Sequence, residues 1–423
     1  MTRSEVPVTW RPATDAIVRA ANRLKNVIVR TPLEPNDGLS AEFGAEILLK
    51  REDLQAVRSY KIRGAYNKIR SCSDEALAKG VSCASAGNHA QGVALSCRKL
   101  GIHGTIYMPL TTPSQKIERV QTLGGSWVEI ILTGDVYDDC EREATVRSAR
   151  DGTVFVHPFD DPEVIEGQGT VGMEILEDAG GEIDFLFLPV GGGGLASGVG
   201  SWVKAVSPAT RIIGVEPAGA PSMAAAFAAG HTVTLETIDT FADGAAVRRV
   251  GSLTFEICRE VLDRVVTVPE GRLCTVILRL YNDDGIVVEP AGALAIAALE
   301  DFRDEIRGKT VVCVVSGGNN DFRRTEEIRE RSLIHEGMKH YFIVRFPQRA
   351  GALRQFVVDV LGPGDDITHF AYSRKTDRER GPAVVGVELR SKEALEPLIR
   401  RMKEMGFFGE YLNDRPDLLR YLV

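Results

Sequence analysis

Between about residues 45 and 320, short apolar runs alternate with longer amphipathic stretches. The apolar runs end in Gly, Pro or polar turns, and they read EILLKRE, VSCASAG, HGTIYMP, TVFVHPF, FLFLPVGGGG, RIIGVEP and TVVCVVSGGN. Strands that alternate with helices and are apolar on both faces are typical of a parallel sheet covered on both sides. The sequence therefore predicts an α/β fold whose binding site lies where the strands end.

A different pattern follows residue 320. The charged stretch DFRRTEEIRERSLIHEGMKH predicts a connecting helix and linker over residues 321–338. Beyond it, YFIVRFP, ALRQFVVDVL, DITHFAYSRK, AVVGVELR and SKEALEPLIRRMKEMG predict strand, helix, strand, strand and helix, with TDRERGP as a hairpin turn and a last short strand near residues 408–412. This order is the α+β ferredoxin-like plan. We therefore expect a catalytic domain over residues 1–320, with a smaller subdomain at about 65–155, and a second domain over residues 339–423.

Charge and composition exclude several classes of protein. The 423 residues carry a net charge of −8, and the basic residues are interspersed with acidic ones, so neither nucleic acid nor an anionic membrane is an expected partner. No apolar run is long enough to cross a bilayer, and the N-terminus lacks the apolar core of a signal peptide. Seven cysteines occur without a C-x-x-C pair or any metal-ligand spacing. We expect a cytoplasmic protein with reduced thiols and no metal site.

Four consecutive glycines lie between a predicted strand and a predicted helix in PVGGGGLASGV (Pro189 to Val199). Inside a regular element they would cost about 2 to 4 kcal/mol relative to alanine, so they must form a loop. A bare loop that opens onto a helix presents backbone N–H groups to an anion. A generic turn is the alternative, but one or two glycines would suffice for it. Because the pattern matches neither nucleotide-binding fingerprint, it predicts a single phosphate group.

Lys61 stands in RSYKIRGAYN, which is rich in basic residues. One interpretation is a solvated basic face, since lysines are mostly exposed. The other is a buried lysine used as a nucleophile. A phosphate loop together with such a lysine is typical of a pyridoxal phosphate site, because the lysine joined to the cofactor aldehyde no longer carries a buried ammonium charge.

Two further stretches follow predicted strands. In SAGNHAQG, the residues Ser85, Ala86, Gly87, Asn88 and His89 open a helix and could hold a substrate carboxylate, and Asn88 could also bond the phenolic oxygen of the cofactor. His89 taken alone fits an ordinary helix start better than a contact with substrate.

In SGGN, Ser316 could face the pyridine nitrogen with a neutral hydroxyl. A neutral partner leaves the ring nitrogen less protonated and the electron sink weaker. This favours eliminations that expel a β-substituent.

The motifs SYKIRGA, SAGNHAQG, GGGGL, DGAAV, EPAGA and SGGN, in this order, resemble the serine/threonine dehydratases, over roughly residues 15–320. The tail resembles the single ACT-like regulatory domain of short-form biosynthetic threonine dehydratases, the threonine ammonia-lyases. The resemblance implies the tryptophan-synthase-β-like pyridoxal-phosphate fold plus a C-terminal ferredoxin-like ACT-type domain. It also implies pyridoxal 5'-phosphate as cofactor. By position, Lys61 matches the Schiff-base lysine, Asn88 the oxygen-3 partner, Ser316 the ring-nitrogen partner, and Gly191, Gly192, Gly193, Gly194 and Leu195 the phosphate loop.

The same resemblance implies an activity and its control. The implied reaction is conversion of L-threonine to 2-oxobutanoate and ammonia, the first step of isoleucine biosynthesis, with L-serine as a second substrate. It further implies a homotetramer that isoleucine inhibits at FPQRAGAL (Phe346 to Leu353), with valine as an opposing effector. The alternatives are a serine dehydratase or serine racemase, a non-catalytic amino-acid sensor, and a tail that serves only oligomerisation.

One position departs from related racemases that bind a divalent cation. Those racemases have a segment similar to GVEP, with an acidic residue six positions after its Glu. In this chain the residue six positions after Glu216 is Ser222. A metal site near Glu216 is therefore in doubt.

Overall fold

The structure is a computed structural model and describes residues 10–372, 379–419 and 422. Its contacts divide the chain into two units, Met1–Glu270 with Asp283–Asn320, and Gly271–Asn282 with Asp321–Val423. The first unit contains most of the predicted catalytic domain. The segment Gly271–Asn282 belongs to the second unit, although it lies within the predicted range 1–320.

Ten strands lie in the described part of the first unit. They are β1 (Leu33–Pro35), β2 (Glu46–Arg51), β3 (Val81–Ala84), β4 (Gly104–Met108), β5 (Val128–Leu132), β6 (Val154–Phe155), β7 (Phe185–Pro189), β8 (Arg211–Pro217), β9 (Arg264–Val268) and β10 (Thr310–Val315).

The α-helices up to residue 320 lie in the first unit, except that the helix containing Gly271–Asn282 lies largely in the second unit. They are α1 (Thr14–Leu24), α2 (Asp37–Phe43), α3 (Lys61–Ser71), α4 (Asp74–Leu77), α5 (Asn88–Leu100), α6 (Ser114–Gly124), α7 (Tyr137–Asp151), α8 (Pro162–Asp178), α9 (Gly194–Val206), α10 (Ser222–Ala229), α11 (Ser252–Val261), α12 (Glu270–Asp284), α13 (Pro290–Ala297) and α14 (Arg303–Ile306). Short 3₁₀ turns lie at Glu52–Leu54, Gly125–Trp127 and Ala298–Phe302.

The larger sheet of the first unit has the strand order β1-β2-β10-β7-β8-β9. All neighbours are parallel except β1, which pairs antiparallel with β2. The central strands are buried along their length, and β7 and β10 lie almost wholly in the core. This arrangement confirms the predicted α/β class, since a parallel sheet with both faces covered needs strands that are apolar on both sides.

A smaller parallel sheet has the order β5-β4-β3-β6. Helices α5 and α6 pack on it around a separate apolar core that includes Val93, Ile106 and Val120. The strands lie between residues 81 and 155, within the range predicted for a smaller subdomain. The carboxyl end of β3 leads directly into the SAGNHAQG turn.

A buried cluster of charges ties helix α3 to the larger sheet. The Arg63 guanidinium donates to Glu52 at 2.7 and 2.8 Å and to Glu174 at 2.7 Å, and Lys50 Nζ donates to Glu174 at 2.6 Å. Arg63 and Lys50 are fully buried. Charges can remain buried only when they are paired and hydrogen-bonded. This cluster therefore locks the first turn of the helix on which Lys61 lies.

The second unit contains β11 (Lys339–Pro347), β12 (Asp366–Tyr372), β13 (Arg380–Glu388) and β14 (Phe408–Tyr411) in the order β12-β13-β11-β14, all antiparallel. Its remaining helices are α15 (Thr325–His335), α16 (Ala352–Gln355), which continues as a π-helical turn at Phe356–Val360, α17 (Leu395–Glu404) and α18 (Pro416–Leu419), with 3₁₀ turns at Phe322–Arg324 and Lys392–Ala394. The predicted ferredoxin-like plan is confirmed. The predicted turn TDRERGP begins outside the described residues.

Helix α15 occupies much of the predicted linker 321–338. Its Ser332 hydroxyl lies 3.0 Å from that of Thr275, on the part of α12 that belongs to the second unit. The sheet and its helices enclose a core built around Phe342, Phe356 and Phe407.

Candidate active site

Lys61 is the first residue of α3 and lies at the carboxyl edge of the larger sheet. Its Nζ donates a hydrogen bond to the Pro158 carbonyl oxygen at 2.8 Å. Burial lowers the pKa of Lys61 to about 8, an effect that the Glu289 carboxyl partly offsets. The interpretation of a solvated basic face does not describe this segment, because Arg63 is fully buried and Lys61 is largely so.

The four glycines form the loop between β7 and α9. A Cβ added at Gly192 would lie 2.3 Å from the Phe159 ring, so only glycine fits there. Gly193 has φ of 94°, in the left-handed region that favours glycine. The loop therefore brings backbone without side chains to the N-terminal end of α9, where the sequence predicts a phosphate site.

Two residues distant in sequence hold this loop in place. The Thr254 hydroxyl donates to the Gly192 carbonyl oxygen at 2.6 Å. The Asp160 carboxylate in turn accepts from the N–H groups of Leu253 and Thr254 at 3.0 and 3.1 Å, at the start of α11. Because Asp160 adjoins Phe159, one segment both fills the space beside Gly192 and anchors the helix that holds the loop.

The SAGNHAQG segment turns from β3 into α5, which begins at Asn88. The first intrahelical bond runs from Gln91 N–H to the Gly87 carbonyl oxygen, so the N–H groups of Asn88, His89 and Ala90 have no intrahelical acceptor. The Ser85 hydroxyl oxygen accepts from Gly87 N–H at 3.2 Å. These donors lie where the prediction placed a substrate carboxylate.

The His89 side chain points into the core. The ring is buried, with Nε2 2.8 Å from the Val156 carbonyl oxygen. Burial lowers the pKa of His89 to about 3, so the imidazole is neutral. His89 thus contributes a backbone N–H at the helix start, while its ring fits the ordinary structural interpretation.

The Asn88 side chain is bonded at both ends. Its Nδ2 donates to Glu289 Oε1 at 2.6 Å, and its Oδ1 accepts from Asn319 Nδ2 at 2.6 Å. Glu289 is buried, and desolvation together with the nearby Asp243 charge raises its pKa to about 7. Sequence reasoning missed Glu289 and Asn319, although both stand in motifs that carry the family resemblance, EPAGA and SGGN.

Ser316 directly follows β10 and is buried. Its hydroxyl donates to the Ala291 carbonyl oxygen at 3.3 Å, and its carbonyl oxygen accepts from Tyr60 N–H at 3.2 Å. The second bond places the end of β10 beside the residue that precedes Lys61. The buried Ser59 hydroxyl in the same segment has no hydrogen-bond partner in the part of the chain that the structure describes.

These contacts bring the predicted residues to one edge of the sheet. Pro158 bonds Lys61 and Phe159 packs on Gly192, so adjacent residues join the lysine to the loop. The loop at Ala245, from the DGAAV motif, lies against Gly191 on the other side. A glycine cradle, a lysine with a lowered pKa and a neutral serine hydroxyl fit the phosphate, aldehyde and ring nitrogen of pyridoxal phosphate.

Glu216 has a structural role in this chain. Its carboxylate accepts from the N–H groups of Met223 and Ala224 at 2.7 and 2.8 Å, and from the Ser222 hydroxyl at 3.4 Å. It thereby caps the N-terminus of α10. Burial raises the pKa of Glu216 to about 7, an effect that these hydrogen bonds partly offset. Among the described residues no group of three or more His, Cys, Asp or Glu side chains is arranged to hold a metal ion.

Comparison with known proteins agrees with this geometry. The family model for pyridoxal-phosphate dependent enzymes matches residues 24–317. The chain belongs to this family. A second model, for the C-terminal regulatory domain of threonine dehydratase, matches residues 330–422. As a member of the pyridoxal-phosphate dependent family, the protein uses that cofactor. In the described residues, every helix falls short of the length and apolar character needed to cross a bilayer.

Individual relatives refine the comparison. The biosynthetic L-threonine dehydratase of Halalkalibacterium halodurans is 54% identical over 96% of this chain and 98% of that protein. Among solved structures, threonine deaminase isoform 2 of Solanum lycopersicum is 39% identical with a TM-score of 0.71, and covers 78% of this chain and 99% of that one. Maize serine racemase is 34% identical with a TM-score of 0.71, and the match covers 77% of this chain and 99% of that one.

Proposed function

We propose that this enzyme converts L-threonine to 2-oxobutanoate and ammonia, as the first step of isoleucine biosynthesis, under feedback inhibition by isoleucine. One observation carries the proposal. A relative named biosynthetic L-threonine dehydratase matches the chain at 54% identity over almost the full length of both proteins, so the match includes the regulatory unit. The site geometry supports the same reaction class.

Four groups of residues hold the cofactor in this proposal. Lys61 would join its aldehyde, Asn88 would bond its phenolic oxygen, the loop Gly191–Leu195 would bind its phosphate, and Ser316 would partner its ring nitrogen. The bound cofactor supplies a ring that withdraws electrons from the α-carbon of the amino acid. Since the Ser316 hydroxyl is neutral, the ring nitrogen receives no charged partner from this residue, which favours loss of the β-hydroxyl.

Lys61 acts as the general base on the substrate α-proton. A free lysine with its ordinary pKa is almost entirely protonated near neutral pH and cannot accept a proton. The pKa of about 8 in this site leaves a substantial unprotonated fraction. The Pro158 carbonyl oxygen, 2.8 Å from Nζ, holds the amine in place between its two roles.

The substrate carboxylate binds at Ser85 to His89. The N–H groups at the start of α5 and the helix dipole both favour an anion there. Threonine differs from serine by one methyl group, which supports discrimination of only about 1 to 3 kcal/mol. Activity on L-serine is therefore expected as well.

The test is keto-acid release from L-threonine and L-serine by the purified, cofactor-loaded enzyme. The expected result is release from both substrates, faster from threonine, and slower when isoleucine is present. A protein that shows the visible absorption of the bound cofactor but releases no keto acid would contradict the proposal.

Serine racemase is the second candidate, and the similarity to maize serine racemase favours it. Chiral analysis of serine incubated with the enzyme separates the two functions, because a racemase produces D-serine as a main product. Capping of α10 by Glu216 supports the dehydratase, since this carboxylate is already bonded to the helix. A non-catalytic sensor would release no keto acid and produce no D-serine.

A groove in the second unit supports the regulatory part of the proposal. It has a volume of about 530 Å³ and begins at the predicted effector segment. Its lining residues are Phe346, Pro347, Arg349, Gly351, Ala352, Leu353, Arg354, Val357, Val358, Phe370 and Tyr372. The lining is largely apolar, with two arginines. A branched apolar side chain with a carboxylate, as in isoleucine or valine, has the chemistry that such a groove accepts.

Calorimetry tests the groove. Isoleucine should bind the unaltered enzyme, and Val357→Asp should abolish binding because it places a carboxylate among apolar side chains that would face the ligand. Val146→Asp changes another exposed valine, on α7, and should leave isoleucine binding unchanged. If the unaltered enzyme binds no isoleucine and shows the same rate curve with and without it, the second unit serves oligomerisation alone.

Two further parts of the proposal concern the cellular setting. Within the described residues, the cysteines at positions 72, 83, 97, 140, 258 and 313 form no disulfide, which supports the reducing cytoplasm as the compartment. A homotetramer is proposed from the family resemblance, and sedimentation of the purified enzyme measures the assembly. A monomer at micromolar concentration would contradict it.

A further inference from the structure

Two motif residues remain without a role in the reaction, Glu289 and Asn319. They lie at opposite ends of the Asn88 amide, where Glu289 accepts from Nδ2 and Asn319 donates to Oδ1, both at 2.6 Å. Asn319 Nδ2 also donates to the Val57 carbonyl oxygen at 2.8 Å. The three side chains form one chain of hydrogen bonds from Val57 to Glu289.

Glu289 occupies a place where a carboxyl group is costly. It is buried, and a Cβ on Gly317 would lie 2.3 Å from its Oε1, so the SGGN backbone packs directly against it. Burial raises its pKa to about 7. A buried carboxyl needs partners to offset its desolvation, and the Asn88 amide supplies one of them.

The direction of an amide depends on its partners. The oxygen and nitrogen ends of asparagine have nearly the same shape, but one accepts hydrogen bonds and the other donates two. The Val57 carbonyl oxygen requires a donor, which places Asn319 Nδ2 toward Asn88. Asn319 then requires the oxygen of Asn88 to face it, and the nitrogen of Asn88 must face Glu289.

We propose that Glu289 and Asn319 are positioning residues that fix the direction of the Asn88 amide, so that its second N–H faces the phenolic oxygen of the cofactor. One hydrogen of Nδ2 is used by Glu289 and the other remains for the cofactor. The inference rests on the contact between Asn88 and the cofactor in the proposed function.

The test reverses the two hydrogen bonds of the Asn88 amide while keeping the total charge. Asn319→Asp removes the donor that faces Asn88 and replaces it with an acceptor. Combined with Glu289→Gln, which supplies a donor at the other end, it allows the Asn88 amide to turn over with both ends bonded. The turned amide presents its oxygen lone pair, instead of N–H, to the phenolic oxygen. Asn88→Ala is the reference for complete loss of the contact.

Thermal unfolding, the visible absorption spectrum and the cofactor dissociation constant are measured for each loaded variant. Glu289→Gln alone keeps an acceptor for Asn88 and should resemble the unaltered enzyme in all three. Asn319→Asp should be destabilised, because both Asn88 and the Val57 carbonyl oxygen lose their donor. The double variant should recover the part of that stability that the bonds to Asn88 contribute, while the Val57 carbonyl oxygen stays without its donor. Yet the double variant should keep the altered absorption of Asn88→Ala and a dissociation constant raised roughly tenfold, as loss of one hydrogen bond implies.

Three outcomes would overturn the inference. They are a double variant with the absorption and cofactor retention of the unaltered enzyme, a double variant that does not fold, and an Asn88→Ala protein whose absorption is unchanged. Keto-acid release from threonine by the unaltered enzyme is measured in parallel and judges the proposed function separately. An enzyme inactive on threonine whose variants still differ in absorption as expected would lose the proposed function but keep the positioning role.

Discussion

Lys61 Nζ lies 2.8 Å from the carbonyl oxygen of Pro158, 97 residues away in sequence. The neighbouring Phe159 packs on Gly192 of the glycine loop. One turn thus sets the distance between the lysine and the loop, the two features on which cofactor binding depends.

Replacing Lys61 with Ala should abolish the visible absorption of the covalently bound cofactor and stop turnover. The fold should persist, because a neutral hydrogen bond such as that to Pro158 contributes only about 1 kcal/mol. Absorption spectroscopy and thermal unfolding check both expectations. Lys25→Ala, at an exposed lysine just after α1, is the control and should behave like the unaltered enzyme. Unchanged absorption in a folded Lys61→Ala protein would exclude Lys61 as the anchor.

Replacing Gly192 with Ala should weaken cofactor retention at least tenfold. Its Cβ would lie 2.3 Å from the Phe159 ring, so that either the ring or the loop must shift. The measurement is the dissociation constant of the cofactor after dialysis. Gly181→Ala is the matched control, since no atom lies within 4 Å of the added Cβ. Equal retention in both variants would show that the loop does not need glycine at position 192.

Replacing Arg63 with Met should lower the free energy of unfolding by about 3 to 5 kcal/mol, because Glu52 and Glu174 would lose their shared buried cation. Urea denaturation measures the change. Arg19→Met removes an exposed ion pair with Asp15 and should leave the free energy of unfolding almost unchanged. A small effect at Arg63, similar to that at Arg19, would mean that the cluster is not needed to hold α3.

Glu216 should make stability depend on pH. Its pKa rises from 4.5 in the unfolded chain to about 7 in the fold, so the folded state binds more protons between these values. The contribution of Glu216 to stability is therefore largest below pH 4.5 and is lost as pH rises through 7, with a total of about 3 kcal/mol. Between pH 5 and 8, the free energy of unfolding of the unaltered protein should therefore fall relative to that of Glu216→Gln as the pH rises. A constant difference across that range would refute the assignment.

Local features of the sequence predicted much of the fold and the site. The glycine loop and Ser316 were predicted from runs of a few adjacent residues, and a strand or helix shows its period over a similar length. The residues around Lys61 left a solvated basic face open, and the anchoring role was predicted from the phosphate loop and the family motifs. The ferredoxin-like order of the second unit follows from the same kind of signal.

Other parts of the site could not be predicted in this way. Asn88 and Glu289 are 201 residues apart, and Arg63 and Glu174 are 111 residues apart. Nothing in the local pattern around Glu289 distinguishes a buried acceptor from an exposed carboxyl. His89 illustrates the opposite case, since its position in a motif suggested a contact with substrate, whereas its ring lies in the core.

The amino-acid sequence by itself determined the order of strands and helices, the place of the glycine loop and the residue types available at each strand end, because period and turn chemistry are properties of neighbouring residues. Only the tertiary structure decided which polar groups meet. Packing of α3 against α8 pairs Arg63 with Glu174, and the close approach of Gly317 to Glu289 places that carboxyl at the Asn88 amide. A buried polar group requires a specific partner, and that partner is known only once distant segments have packed together.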